Sequence, residues 1–178
     1  MSPARVLDRA RAVLVVVDVQ EAFRGAVHEF EAIARAAGRL VSGARLLDVP
    51  IVVTEQYPQG LGHTVDEIGL DGEQPLAKTV FAASRAKGFD LGGRDQVLLC
   101  GIEAHVCVSQ TAHDLLDDEV EVHVAVDATS SRRPSDRDVG LRKMERSGAI
   151  VTSVETALLE LCEQAGTPEF KAVQGLIK

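Results

Sequence analysis

Cysteine is scarce in this chain of 178 residues, which contains three cysteines and no CxxC pair. An odd set of thiols argues against a disulfide framework and against a zinc ribbon, and it fits a reduced compartment. Residues 1–11 lack the apolar core of a secretory signal. No apolar run approaches the roughly 20 residues that span a membrane. These absences predict a cytoplasmic protein that does not associate with membranes.

Positive charge is also in short supply, since 19 Lys and Arg residues face 27 Asp and Glu residues and the net charge is −8. The basic residues are scattered, whereas nucleic acids and anionic membranes are bound by clustered Lys and Arg. Neither is therefore expected as a partner. The chain lacks a P-loop and a GxGxxG motif, and its five histidines form no HxH, HExxH or DxH pattern. Nucleotide cofactors and metal ions are consequently not expected.

Apolar runs typical of strands alternate with helical patterns along the chain, and its length suits one domain over residues 1–178. Ser135 and Ser153 are predicted helix N-caps, and Pro168 suits the first turn of a last helix. Strands are predicted at residues 12–17, 51–54, 77–82, 97–100, 120–126 and 149–152. Helices are predicted at residues 28–47, 107–117 and 135–147, and again after Ser153 and Thr167. This order predicts a three-layer α/β/α fold with a mainly parallel, Rossmann-like sheet of six strands.

Polar residues follow several of these strands, at the edge where ligands bind to open α/β sheets. This position groups four residues into one candidate site: Asp18, Glu55, Cys107 and Asp127. Lys78 lies beside a predicted strand. Its ammonium could reach solvent, or it could lie between a thiol and a carboxylate and favour both anions.

Cys107 lies where an apolar strand passes into a helix. The unpaired N–H groups and the dipole of a helix start favour negative charge, so a lowered thiol pKa and a nucleophilic role are expected. The alternative is an inert core cysteine, because free cysteine is often buried. Asp18 has an alternative role as a helix cap or ion-pair partner. His105 is a natural partner for a cysteine, although residues two apart across a turn need not face each other.

Four sequence blocks carry a family resemblance. They are residues 15–20 (VVVDVQ) with Phe23, residues 54–56 (TEQ), residues 77–81 (AKTVF) with Ser84, and residues 101–108 (GIEAHVCV). With these blocks the chain resembles the isochorismatase-like cysteine hydrolases, which include nicotinamidases, N-carbamoylsarcosine amidases and isochorismatases. Residues 54–58 (TEQYP), 60–62 (GLG) and 127–132 (DATSSR) are similar to its isochorismatase domain-containing subgroup.

The resemblance implies a catalytic triad of Asp18, Lys78 and Cys107. Asp18 would take the thiol proton and later activate water, Lys78 would hold the carboxylate, and Cys107 would attack a carbonyl carbon. Backbone N–H groups of residues 102–107 would form the oxyanion hole. The resemblance also implies a cis peptide bond between Ile102 and Glu103.

Two departures from the family bear on the reaction. Nicotinamidases carry a metal-binding Asp-x-His segment where this chain has Glu55, Gln56 and Tyr57, so we expect neither a metal nor nicotinamidase activity. Isochorismatases do not need the cysteine, whereas this chain keeps Cys107 with both partners. That favours hydrolysis of a C–N bond in a small amide or carbamoyl compound. The alternatives are a vinyl-ether hydrolase and a non-catalytic binding or assembly protein on the same fold.

The resemblance further implies a homo-oligomer, a dimer or larger. For the aromatic residues, core packing is an equal alternative to substrate contact, and for Gln20 the alternative is loop bracing. Five residues beside the triad are candidates for substrate contact: Gln20, Phe23, Tyr57, Phe81 and His105.

Overall fold

The computed structural model describes residues 5–178, so residues 1–4 of the domain predicted over residues 1–178 lie outside the described residues. Six strands, all parallel, form one sheet in the order β3-β2-β1-β4-β5-β6. The strands are β1 (Ala12–Val17), β2 (Ile51–Gln56), β3 (Leu76–Lys78), β4 (Gln96–Ile102), β5 (Glu121–Ser130) and β6 (Ile150–Thr152). The predicted six-stranded parallel sheet is confirmed.

Helices cover both faces of the sheet because its central strands are apolar on both sides. In β1, Leu14 and Val16 pack into one hydrophobic cluster, whereas Val13 and Val15 pack into the other. The helices are α1 (Phe30–Leu46), α2 (Pro58–Leu61), α3 (Ser109–Asp117), α4 (Pro134–Arg146), α5 (Val154–Cys162) and α6 (Pro168–Ile177). The first cluster contains side chains of α1, α5 and α6, and the second contains side chains of α3 and α4. This arrangement confirms the α/β/α layers. No helix in residues 5–178 has both the length and the hydrophobicity to cross a membrane.

Two of the three helix starts that the sequence indicates are confirmed. The Ser153 hydroxyl accepts a hydrogen bond from the N–H of Thr156 at 3.2 Å, and Thr167 caps α6 in the same way. The predicted cap at Ser135 is wrong. The N-cap of α4 lies two residues earlier, at Arg133, and the helix begins at Pro134. Proline suits this position because its fixed φ is already helical and its missing N–H would have no intrahelical acceptor.

Strand β3 is shorter than the predicted strand at residues 77–82. It ends at Lys78, and the chain then folds back so that the Lys78 ammonium donates to the carbonyl of Phe81 at 2.9 Å. Residues 79–82 therefore form a loop around the lysine instead of continuing the sheet.

Gly101 permits a close approach between the two central strands. Its φ is +134°, and the pairing of β4 with β5 shifts register between Leu99 and Gly101. A Cβ atom at Gly101 would lie 2.1 Å from the carbonyl oxygen of Val17. Only glycine fits this position. The close approach brings the turn after β4 next to the residue that follows Val17, which is Asp18.

Candidate active site

The carboxyl ends of three strands bring Asp18, Lys78 and Cys107 together. Asp18 directly follows β1, Lys78 is the last residue of β3, and Cys107 lies in the turn after β4. The Lys78 ammonium donates to the Asp18 carboxylate at 2.7 Å, across the end of the intervening strand β2. Both side chains are almost wholly buried, with exposed fractions of 0% and 2%. A buried charge of this kind needs its partner.

The Asp18 carboxylate is held through both of its oxygens. Oδ2 accepts from Lys78, and Oδ1 accepts from the Thr54 hydroxyl at 2.8 Å. The backbone of Asp18 adopts a left-handed conformation with φ +56°, which is uncommon for a residue other than glycine. Such strained positions persist where the surrounding contacts hold them, and they cluster at functional sites.

Lys78 is surrounded by oxygen atoms. Besides Asp18, its ammonium lies 2.6 Å from the side-chain oxygen of Gln56, 2.9 Å from the carbonyl of Phe81 and 3.4 Å from the carbonyl of Val80. This arrangement orients the cation toward the carboxylate and excludes the alternative of a solvent-facing lysine. Sequence reasoning missed the role of Gln56, because the pairing of β2 with β3 that aligns it with Lys78 is visible only in the fold.

Cys107 is nearly buried, with 5% of its surface exposed, whereas Cys100 is fully enclosed. Burial raises the pKa of the Cys107 thiol to about 12, and the Asp18 carboxylate adds to this rise by its charge and by hydrogen bonding, while Lys78 opposes it. The expected lowering of the thiol pKa is therefore wrong. The start of a helix favours the thiolate, but desolvation disfavours it more strongly in this position.

The turn that carries Cys107 begins with Glu103 in a left-handed conformation, with φ +56° and ψ +71°. The carbonyl of Glu103 accepts from the N–H groups of Val106 and Val108, which closes one π-helical turn over Ala104–Val108. The expected cis peptide bond between Ile102 and Glu103 is wrong, since residues 5–178 contain no cis peptide bond. The positive φ of Glu103 redirects the chain at this point with a trans bond.

A polar network that sequence reasoning did not assign supports this turn. The buried carboxylate of Glu103 accepts from the guanidinium of Arg132, in the segment between β5 and α4. The Nδ1 atom of His105 lies 3.0 Å from the Ser131 hydroxyl and 3.3 Å from the second carboxylate oxygen of Glu103. The network ties residues 131–132 to the turn that carries Cys107. His105 faces this network through Nδ1, and within residues 5–178 its ring makes no hydrogen bond to the Cys107 thiol.

Gln20 is fully buried, and its amide braces the loop after β2. Its Oε1 accepts from the N–H of Gln56 at 2.7 Å, and its Nε2 donates to the carbonyls of Gln56 and Gly62 at 3.0 and 2.7 Å. Both polar ends of the side chain are therefore engaged within the protein. This favours loop bracing over substrate contact.

The three aromatic candidates differ in their surroundings. Tyr57 and Phe81 are 54% and 51% exposed, whereas Phe23 packs against the hydrophobic core. A depression of about 190 Å³ lies at the end of β2 and β3 and is lined by Tyr57, Pro58, Gln59, Ala77, Lys78 and Thr79. Tyr57 thus borders an opening beside Lys78, and Phe23 takes the packing role.

Two acidic residues at strand ends lie outside this cluster. Glu55 accepts from the N–H and the hydroxyl of Thr64 at 2.7 and 2.8 Å and lies 3.2 Å from His63, so it braces the loop after β2. Asp127 is exposed and accepts from the N–H of Val154 at the start of α5. Within the described residues, no group of three or more His, Cys, Asp or Glu side chains is arranged to hold a metal ion.

Comparisons with known proteins find relatives over nearly the whole chain. The profile described as the isochorismatase domain matches residues 12–156. Human isochorismatase domain-containing protein 2 is 49% identical over 170 residues, which cover 94% of this chain and 83% of that protein. The secreted isochorismatase effector Isc1 of Phytophthora sojae is 44% identical, with coverages of 94% and 84%. The structure of the MAR1 ribonuclease from Caenorhabditis elegans is similar with a TM-score of 0.92 at 41% identity, covering 97% of this chain and 92% of that one. The chain therefore belongs to the isochorismatase domain family.

Proposed function

We propose that this protein is a cysteine hydrolase that cleaves the C–N bond of a small amide or carbamoyl compound, with Asp18, Lys78 and Cys107 as its catalytic triad. Family membership supports a hydrolase. The observation that carries the finer proposal is the buried Lys78–Asp18 pair, which interacts with the only one of the three thiols that lies at the carboxyl edge of the sheet. Nucleophilic catalysis needs a base beside its thiol, and the Asp18 carboxylate interacts with the Cys107 thiol.

The resting site holds a neutral thiol, because its pKa is raised. As the sulfur attacks the carbonyl carbon, its proton moves to Asp18, and the negative charge on the carbonyl oxygen meets the N–H groups at the start of the Ala104–Val108 turn. The C–N bond then breaks, and the leaving nitrogen takes the proton from Asp18. Water attacks the resulting thioester with Asp18 as base, which releases the acid and restores the thiol.

Further parts of the proposal concern the partner, the metal and the location. We propose that the protein acts on a small molecule without a metal or a cofactor, as a homo-oligomer in the cytoplasm. The net charge of −8 disfavours a polyanion such as RNA, in spite of the name of the MAR1 relative. The relative Isc1 is a secreted protein, and the proposed cytoplasmic location of this chain is argued from its cysteine usage.

A substrate screen tests the proposal. The protein is incubated with a panel of small amides, carbamoyl compounds and vinyl ethers, and with an RNA oligonucleotide, and release of ammonia or of the cleaved product is measured. For any amide that is hydrolysed, Cys107→Ala should lower kcat/KM by about a thousandfold or more, because the nucleophile is lost. Cys162→Ala, which removes a thiol outside the site, should match the wild type.

The outcomes separate the candidate functions. Hydrolysis of an amide that survives unchanged in Cys107→Ala would disprove nucleophilic catalysis. Turnover of a vinyl ether without the cysteine would favour the isochorismatase-type reaction. No turnover of any compound, together with Cys107 alkylation that is insensitive to Asp18 and Lys78 substitutions, would favour the non-catalytic protein.

A further inference from the structure

The Lys78 ammonium has three protons, and three oxygen atoms lie within 2.9 Å of its nitrogen. They belong to the Asp18 carboxylate, the Gln56 amide and the backbone of Phe81. The side chain is fully buried, so water does not supply an alternative acceptor. A fourth oxygen, the carbonyl of Val80, lies farther away at 3.4 Å, so the direction of the proton that faces Asp18 depends chiefly on the two other close acceptors.

The Gln56 side chain is itself held in one orientation. Its Nε2 donates to the carbonyl of Thr79 at 2.9 Å, which leaves Oε1 facing Lys78 at 2.6 Å. The reverse orientation would place two N–H groups against the ammonium and an oxygen against a carbonyl.

The backbone of Gln56 is fixed by Gln20, whose amide binds both its N–H and its carbonyl. Gln20 is fully buried, and it also binds the carbonyl of Gly62. A continuous series of hydrogen bonds therefore runs from Gln20 through Gln56 to Lys78, and from Lys78 to Asp18.

We propose that Gln56 is a positioning residue, which directs the Lys78 ammonium toward Asp18 and thereby sets the charge that the Cys107 thiol experiences. The side chain must be neutral for this purpose. A carboxylate at position 56 would compete with Asp18 for the cation and would add negative charge near the thiol. An apolar side chain of the same length would leave one ammonium proton with only the more distant carbonyl of Val80 as an acceptor.

Alkylation of the thiol tests this role without a substrate. The inference rests on the proposed triad, but its readout is the rate at which iodoacetamide modifies Cys107 at about pH 9, measured by mass spectrometry of the Cys107 peptide in the full-length protein. Below the thiol pKa this rate follows the fraction of thiolate. We expect Gln56→Glu to slow alkylation about fivefold, because the added charge raises the thiol pKa. We expect Gln56→Met to slow it by about twofold, because Lys78 is held less firmly.

Matched variants make the result decisive. Gln74→Glu introduces the same charge change on the exposed part of the β2–β3 connection and should alkylate at the wild-type rate. Lys78→Met should slow alkylation more than either Gln56 variant. Far-UV circular dichroism and the thermal midpoint check folding, and if Gln56→Glu does not fold, the isosteric Gln56→Met carries the test.

Two results would overturn the inference, and only the second of them would also contradict the proposed function. Wild-type rates in both Gln56 variants, together with a slowed Lys78→Met, would show that Lys78 is positioned without Gln56 and would leave the proposed function standing. A wild-type rate in Lys78→Met as well would show that the lysine does not influence the thiol, and the proposed triad would be wrong too.

Discussion

Cys107 is a neutral thiol in the folded protein, because burial and the neighbouring Asp18 carboxylate raise its pKa to about 12. Many reactive cysteines instead keep a stable thiolate. Here the charge of Lys78 lowers the pKa of the thiol, but this effect is smaller than the combined effects of burial and of the Asp18 carboxylate. A protein with this balance is protected against alkylation and oxidation at neutral pH, since both reactions use the thiolate.

The pH dependence of alkylation follows from this raised pKa. Because the thiolate fraction grows tenfold for each unit of pH below the pKa, the alkylation rate of Cys107 should rise about tenfold per unit from about pH 7 to about pH 10. Quantification of the Cys107 peptide by mass spectrometry measures this rate, and the fully enclosed Cys100 reports any unfolding. A plateau near pH 8 would mean that the thiolate forms in the ordinary range and would contradict the structure.

Asp18→Asn tests two roles of this carboxylate by separate measurements: its proposed role as general base and its pairing with the buried Lys78 cation. We expect hydrolysis of an identified substrate to fall by about a hundredfold or more, because the general base is lost. We expect the free energy of unfolding in urea to fall by about 3 kcal/mol, because the buried Lys78 cation is left without its charged partner. Asp127→Asn is the control, since Asp127 is an exposed residue of β5 whose carboxylate only accepts from the N–H of Val154 at the start of α5. Equal stabilities of the two variants would contradict the account of the buried pair.

At the scale of elements, one glycine of strand β4 helps to place the turn that carries Cys107. Gly101 lets β4 lie against the end of β1, and Cys107 follows six residues later. The apolar run at residues 97–100 predicts this strand, and its bounding glycine predicts an end. The strand continues to Ile102 instead, and its pairing with β5 shifts register between Leu99 and Gly101, where β5 carries the extra residues.

Gly101→Ala tests this packing. The added Cβ would lie 2.1 Å from the carbonyl oxygen of Val17, and alanine disfavours a φ of +134°. We expect a loss of about 3 kcal/mol or more in the free energy of unfolding, and a lower thermal midpoint, because both strands are central and cannot move apart freely. Gly25→Ala is the control, since nothing lies within 4 Å of its added Cβ. Similar midpoints for the two variants would contradict the proposed close approach.

At the scale of the whole molecule, ion pairs connect segments that are distant in sequence. Arg24 donates to Glu21 at 2.7 Å and to Glu67 at 2.7 Å, so it joins the segment after β1 to the turn that packs against α1. The hydrogen bond with Arg24 lowers the pKa of Glu67 to about 2. The folded protein therefore holds this carboxyl in its charged form over a wider pH range than the unfolded chain does.

This shift predicts a sensitivity to acid. A carboxyl whose pKa is lower in the folded state than its ordinary value of 4.5 stabilises the protein fully above that value, and the contribution is lost as the pH falls toward about 2. The free energy of unfolding in urea should thus decrease from about pH 5 to about pH 2.5, and the decrease should be shallower in Glu67→Gln. Glu31→Gln, at an exposed position of α1, should behave as the wild type. Identical slopes in the two variants would contradict the role of the Arg24–Glu67 pair.

Much of the architecture is determined by local patterns in the sequence. Runs such as residues 12–17 are apolar at every position, which a strand requires when helices cover both faces of its sheet. The caps at Ser153 and Thr167 are also local, because a hydroxyl reaches an N–H three residues away. The family follows from four short blocks, and the comparisons confirm it.

Only the tertiary structure decided which polar groups meet and how strongly they are desolvated. The pairing of Gln56 with Lys78 and of Glu103 with Arg132 depends on strand register and loop paths, which no short-range pattern encodes. The ionisation of Cys107 was expected from a local argument about helix starts, and the structure reversed it. A helix start lowers the thiol pKa through backbone groups that are near it in sequence. Burial and the Asp18 charge raise that pKa, and both come from parts of the chain that only folding brings together. The sequence by itself therefore determined the fold and the family, and the three-dimensional packing determined the protonation of the Cys107 thiol and the orientation of the polar groups around it.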